Sequence, residues 1–129
     1  MSYESNIPAS SHLFTGEDKI LSYEIFAADG VAMENVATFS LRWELRRWGP
    51  SGTSVITKTT GNGGGITITG TYNSNRSSNT QRVLVAIADT DTEDLPQARY
   101  TCALKRMDAG LEAVLSHGTV ELLVAAVRA

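Results

Sequence analysis

The feature that most constrains the fold of this chain is a strict two-residue alternation between positions 39 and 46. The run FSLRWELR places an apolar side chain at every second position and a polar or charged one between. This is the period of a β-strand with one face in a core and the other in solvent, whereas a helix would scatter the charges around its axis. The run therefore predicts a strand that buries Leu41 and Trp43.

Six further segments are predicted as strands, five by alternation and residues 55–60 by a β-branched run, and clusters of Gly, Pro, Asn and Asp separate most of them. Gly118 interrupts the last segment, which predicts a β-bulge or a bend there. Short, closely spaced strands without helices between them predict an all-β fold, an immunoglobulin-like antiparallel β-sandwich of seven to eight strands. The end of the chain, residues 120–129, also fits a helical period in part, so a terminal helix is an alternative. The six segments are residues 19–26, 55–60, 66–71, 81–88, 100–105 and 111–127.

The first 18 residues are polar and rich in Ser, and Ile7, Leu13 and Phe14 are the apolar side chains that stand out among them. We divide the chain into an extended N-terminal arm, residues 1–18, and one sandwich domain, residues 19–129. Ordering the arm costs backbone entropy on the order of 1 kcal/mol per residue, which three apolar side chains at about 1.5–3 kcal/mol apiece do not offset. We therefore expect the arm to pair with a sheet edge and favour that of a neighbouring molecule, which makes these three side chains candidates for partner binding.

Composition and charge argue against several classes of function. The 129 residues include 11 Lys and Arg against 14 Asp and Glu, a net charge of −3, so no overall positive field attracts nucleic acid. No apolar run approaches the roughly 20 residues of a membrane helix, and residues 1–18 lack the basic start and apolar core of a signal peptide. The single cysteine, Cys102, excludes an internal disulfide and suits a reducing compartment.

The sequence offers little for catalysis or metal binding. No Gly-x-Ser-x-Gly nucleophile motif occurs, and two histidines are too few for a metal site without help. The acidic run at residues 89–94 lacks the spacing of an EF-hand loop, and Asp and Thr commonly cap the ends of strands. We therefore predict no catalytic residue, no metal and no cofactor, with Ca²⁺ at the acidic run as an open alternative.

A cluster of arginines with one tryptophan lies at the end of the alternating strand. Arg46, Arg47 and Trp48 are consecutive. Arg42 shares the outward face with Arg46. Arg and Trp are favoured at the centres of protein contacts, so Arg47 and Trp48 join the candidates for partner binding. The alternative is a solvated sheet face on which the arginines form ion pairs.

Two aromatic residues are placed as in an immunoglobulin domain. Trp43 lies in mid-strand, and Tyr100 follows a turn and precedes Cys102 by two residues. This arrangement resembles the core Trp and the tyrosine corner of that fold, in which the Tyr hydroxyl bonds nearby backbone. Two aromatics that simply fill a β core are an equally compatible interpretation. We place Leu41, Trp43, Tyr100 and Cys102 in the core.

Taken together in order, these segments resemble the immunoglobulin-like β-sandwich of structural proteins in tailed-phage virions. They are similar to the amino-terminal domain of upper baseplate proteins and to small related head or tail proteins. The resemblance covers about residues 19–124, and it is carried by LSYEIFAADGVAMENVATFSLRWEL, GGGITITG, VLVAIADTDTEDLPQARYTCALKRMDAG and VLSHGTVEL.

The resemblance implies a non-enzymatic building block of a virion, bound to the capsid or the tail as a head decoration, neck or baseplate component. Its implied partners are other virion proteins, with several copies in the assembly, and its implied location is the virion after assembly in the host cytoplasm. A carbohydrate-binding or adhesive module is the alternative, with Tyr3, Trp48 and Tyr72 as its candidate aromatics. A small hydrolase is a second alternative, for which the sequence shows no convergent nucleophile and base.

Overall fold

A computed structural model of the protein describes residues 18–47 and 53–123 in full, together with the main chain of residues 12–14. This part of the chain is all-β apart from one helical turn, α1 (Asp89–Thr92), and a 3-10 turn at Arg76–Ser78. The strands in chain order are β1 (His12–Phe14), β2 (Lys19–Tyr23), β3 (Leu41–Arg47), β4 (Ser54–Thr59), β5 (Ile66–Thr69), β6 (Arg82–Ile87), β7 (Ala98–Arg106) and β8 (Ala113–Leu123).

The strands form two sheets that share one core. Five strands pair in the order β1-β8-β7-β3-β4, and three pair in the order β2-β6-β5. Every pair is antiparallel except β1 with β8, which is parallel. Buried side chains from both sheets belong to a single apolar cluster. The arrangement is consistent with the predicted all-β sandwich.

Strand β3 supplies the centre of the core, as its alternation predicts. Leu41, Trp43 and Leu45 are each at most 1% exposed. The strand begins at Leu41 and not at Phe39, because the N–H of Phe39 closes a turn by donating to the carbonyl of Val36 at 3.0 Å. Phe39 is buried all the same, so the apolar face extends past the end of the hydrogen-bonded strand.

The predicted core residues of β7 face the same interior. Tyr100 and Cys102 are both buried, and burial raises the pKa of the Cys102 thiol, which keeps it protonated and unreactive. The Trp43 indole N–H donates to the hydroxyl of Tyr23 at 3.0 Å and thereby joins the two sheets. The hydroxyl of Tyr100 donates to the carbonyl of Pro96 at 2.8 Å, which confirms the expected bond from this hydroxyl to nearby backbone.

Part of the predicted arm belongs to the sheet of its own chain. Residues 12–14 form β1, which pairs in parallel with residues 121–123 of β8. This pairing differs from the neighbouring-molecule edge that we favoured for the arm. An edge of the same molecule supplies backbone hydrogen bonds without the additional entropy cost of association. The rest of the arm up to residue 11 lies outside the described residues.

The irregularity in the last hairpin lies at Leu115 and not at Gly118. Pairing with β7 skips Leu115, which has no partner between Val114 and Ser116, while Gly118 pairs regularly. Leu115 and Ser116 are both buried, and two consecutive inward side chains are what a bulge permits. Residues 120–123 are strand, so the helical alternative is wrong there, and residues 124–129 lie outside the described part.

Candidate functional site

The outward face of the five-stranded sheet is polar and carries a buried carboxylate at its centre. Opposite residues of neighbouring antiparallel strands share a face, so the register places Glu44 of β3 between Ala103 of β7 and Thr57 of β4. Glu44 points away from the core because its neighbours Trp43 and Leu45 point into it. It is nevertheless only 3% exposed, because other charged side chains cover it.

Three cations surround the Glu44 carboxylate, and we call the four residues the Glu44 cluster. Arg46 Nη2 lies 2.7 Å from Oε2, while Arg42 Nε and Lys105 Nζ lie 3.6 and 3.5 Å from Oε1. Burial acts to raise the pKa of Glu44, but the three cations outweigh it and hold the pKa below its ordinary value. The carboxylate is therefore ionised at neutral pH and links β3 to β7.

We expect this cluster to make stability fall on the acid side. Because folding lowers the pKa of Glu44, its contribution is complete above the ordinary value of 4.5 and is lost as pH falls through the lower folded-state value. Asp91 acts in the same direction, since its pKa is also lowered. Glu44→Gln should cost about 1–3 kcal/mol at neutral pH, and its Tm should fall less steeply below pH ~4.5 than that of the parent.

Thermal melts followed by circular dichroism between pH ~3 and pH ~7 measure this effect. Glu93→Gln is the matched control, because Glu93 is exposed and outside the cluster, and it should change stability by less than about 0.5 kcal/mol. An acid profile that is equally steep in Glu44→Gln and in the parent would contradict a stabilising role for the Glu44 charge.

A groove of about 370 Å³ lies beside the Glu44 cluster. In the register of the sheet, Ala103 of β7 lies between Glu44 of β3 and His117 of β8. Because its side chain is only a methyl group, the surface is recessed there. Most of the lining surface is apolar, and the polar groups at the groove are a carboxylate, a guanidinium, an imidazole and hydroxyl groups. The lining residues are Glu44, Arg46, Thr101, Cys102, Ala103, His117, Gly118 and Thr119.

The predicted partner-binding residues are only partly described. Arg47 is exposed at the end of β3. Leu13 and Phe14 lie in β1, of which the structure describes the main chain, and Ile7 and Trp48 lie outside the described residues. Arg42 and Arg46, for which we weighed a contact patch against solvated ion pairs, form ion pairs with Glu44 along their own strand.

The acidic run at residues 89–94 forms α1 and the turn that follows it, and we call it the acidic turn. Asp91 accepts hydrogen bonds from the Lys58 ammonium and from the N–H of Ala88, both at 2.7 Å. Burial opposes ionisation of Asp91, but these two bonds outweigh it and lower the pKa. Within the described ranges, no three His, Cys, Asp or Glu side chains are grouped to hold a metal ion.

The free edge of β8 is a second surface feature. On the side of β8 away from β7, β1 covers residues 121–123, and among the described strands none covers residues 113–120. That segment, AVLSHGTV, contains no Lys, Arg, Asp, Glu or Pro. Charged residues and Pro are what usually prevents the addition of a further strand, so within the described part of the chain this edge is open to a partner strand.

The Glu44 cluster is a feature that we did not predict as a site. The sequence signal for it is the spacing Arg42-x-Glu44-x-Arg46 on one strand face. Periodicity places these residues on the outward face of β3. It does not show that Lys105 from another strand forms an ion pair with the Glu44 carboxylate. That pairing follows from the register of β3 with β7, which sequence alternation alone leaves open.

Neither the scan against protein-family models nor the search of curated proteins found a match to this sequence. Among the helices in the described residues, none has the length and apolar character required to cross a membrane.

Proposed function

We propose that the sandwich is immunoglobulin-like. In that scheme β2, β6 and β5 correspond to strands B, E and D, while β3, β7 and β8 correspond to C, F and G. The strand orders of the two sheets support this assignment, as do the buried Trp43 on the C-like strand and the hydroxyl bond of Tyr100 at the start of the F-like strand.

On this scaffold we propose a non-enzymatic structural protein of a tailed-phage virion, an accessory component bound to the capsid or tail and assembled in the host cytoplasm. The observation that carries the proposal is the β8 edge at residues 113–120, which no described strand covers. An uncharged edge without Pro is suited to accept an extended segment of a neighbouring protein through main-chain hydrogen bonds. The resemblance of residues 19–124 to tailed-phage sandwich domains supplies the class of neighbour, another virion protein.

Co-sedimentation of the tagged chain with particles tests this function. The variant Val114→Lys places a charge on the open edge at a side chain that is already 46% exposed, and we expect it to fold normally but to enter particles several-fold less well. Leu111→Lys is the matched control, because Leu111 is similarly exposed but lies before β8 begins. It should enter particles as the parent does.

Three outcomes would contradict the proposal: a parent chain that never sediments with particles, equal incorporation of the edge variant and its control, or binding on a glycan array that accounts for its function as an adhesive module.

A further inference from the structure

We propose that the groove beside Glu44 is the docking site for the acidic turn, residues 89–94, of a second copy of this chain. The copies then associate head to tail, since the two contacting surfaces are different. This inference goes beyond the virion role and does not depend on it, because it concerns only the association of the purified chain with itself.

The charge distribution favours a carboxylate-bearing occupant. The outward face of the five-stranded sheet is net positive, although the whole chain has 11 cations and 14 carboxylates. Among the described residues, this face has four cations and two carboxylates, and the remainder has six cations and ten carboxylates. The protein therefore presents one basic face to an otherwise acidic copy of itself. The face carries Arg42, Arg46, Arg99 and Lys105 with Glu44 and Glu121.

The acidic turn carries exposed carboxylates that the hydrogen-bond donors of the groove can bind. Asp89, Glu93 and Asp94 are exposed, while Asp91 is held internally by Lys58. The turn is anchored to its own domain by that bond and still presents three carboxylates outward. Arg46 and His117 with the hydroxyl groups of the groove are donors for carboxylate oxygens.

A molecule cannot place its own acidic turn in its own groove. Lys58 is paired with Trp43 in the sheet, and the Trp43 side chain points into the core, so the bond from Lys58 holds Asp91 on the core side of β4. The N–H of Asp89 also donates to Asp18, next to β2 of the other sheet, at 2.7 Å. The groove lies on the opposite, outward face, so the contact requires a second molecule.

Contacts between two different surfaces form rings when the rotation closes and open chains when it does not. The pairs involved are partly solvent-exposed, and such pairs are weak individually and screened by salt. The association should therefore be concentration-dependent and should weaken at least about tenfold between about 50 mM and about 500 mM NaCl.

Sedimentation equilibrium of the purified full-length chain tests the proposal, with two charge-reversal variants. The groove variant is His117→Glu with Thr119→Glu, and the turn variant is Glu93→Lys with Asp94→Lys; all four side chains are exposed. Each variant alone should stay monomeric at concentrations where the parent associates. An equimolar mixture of the two should associate again, because each supplies a surface complementary to the altered surface of the other.

Thr67→Glu with Thr69→Glu is the matched control, since these threonines are exposed on a strand of the other sheet, and it should associate as the parent does. The single substitution Thr119→Glu, at an exposed lining residue, replaces the groove variant if circular dichroism shows the latter to be unfolded. A monomeric parent at low salt would overturn the proposal, as would association that survives either reversal, or a mixture that stays monomeric.

Discussion

Replacing Trp43 with alanine should destabilise the protein by about 3–5 kcal/mol, the cost of removing a large aromatic side chain from a packed core. Trp43 is completely buried at the centre of β3, and its indole N–H satisfies the Tyr23 hydroxyl across the two sheets. The substitution leaves a cavity and also a buried hydroxyl without this donor. For a domain with a total stability of about 5–15 kcal/mol, the melting temperature should fall by more than about 10 °C.

Thermal denaturation followed by circular dichroism measures the effect of Trp43→Ala. Val31→Ala is the control, because Val31 is 76% exposed, and it should change stability by less than about 0.5 kcal/mol. A Trp43→Ala protein that melts within a few degrees of the parent would mean that β3 presents its other face to the core.

Gly70→Ala should also be severely destabilising, by about 2–5 kcal/mol, the sum of a strained backbone and a steric overlap. Gly70 has φ +84°, in the left-handed region that side chains with a Cβ avoid. A Cβ at this position would also overlap the carbonyl oxygen of Thr80. That carbonyl is part of the main chain, and the N–H of the same residue donates to the Thr71 carbonyl, so relief of the overlap requires the backbone to shift.

Gly63→Ala separates the two contributions to this cost. Gly63 has a similar φ of +74°, but nothing lies within 4 Å of a Cβ built there, so its substitution should cost only about 1–2 kcal/mol. The difference between the two variants in chemical denaturation measures the overlap with Thr80. Equal losses in the two variants would contradict the close approach between Gly70 and Thr80.

The parts of the fold that the sequence predicts are those where one strand pattern is sufficient. Eight residues of alternation identify β3 and place Trp43 in the core, because successive side chains of a regular strand point to opposite faces. The bond of the Tyr100 hydroxyl to nearby backbone is expected from the resemblance to the tyrosine corner of immunoglobulin domains, and the structure forms it with Pro96.

The features of the fold that could not be predicted from the sequence depend on contacts between strands. Residues 12–14 are too few to show a strand period. Their parallel pairing with β8 depends on the β8 edge that the folded sheet presents, so it cannot be predicted from these three residues alone. Gly118 suggested the bulge on conformational grounds, whereas packing places it at Leu115, where two consecutive side chains are buried. The ion pair of Glu44 with Lys105 joins strands some 60 residues apart in the chain, a contact that periodicity does not encode.

The measurement that tests the central claim most directly is a cryo-EM map of intact particles produced from the genome that encodes this chain, with mass spectrometry of the same preparation. If the chain is a structural component of the virion, we expect density on the capsid or tail that fits the two-sheet sandwich in several symmetry-related copies. We also expect a neighbouring chain at the β8 edge of residues 113–120. Complete particles that contain neither the peptides nor the density of this chain would contradict a structural role in the virion.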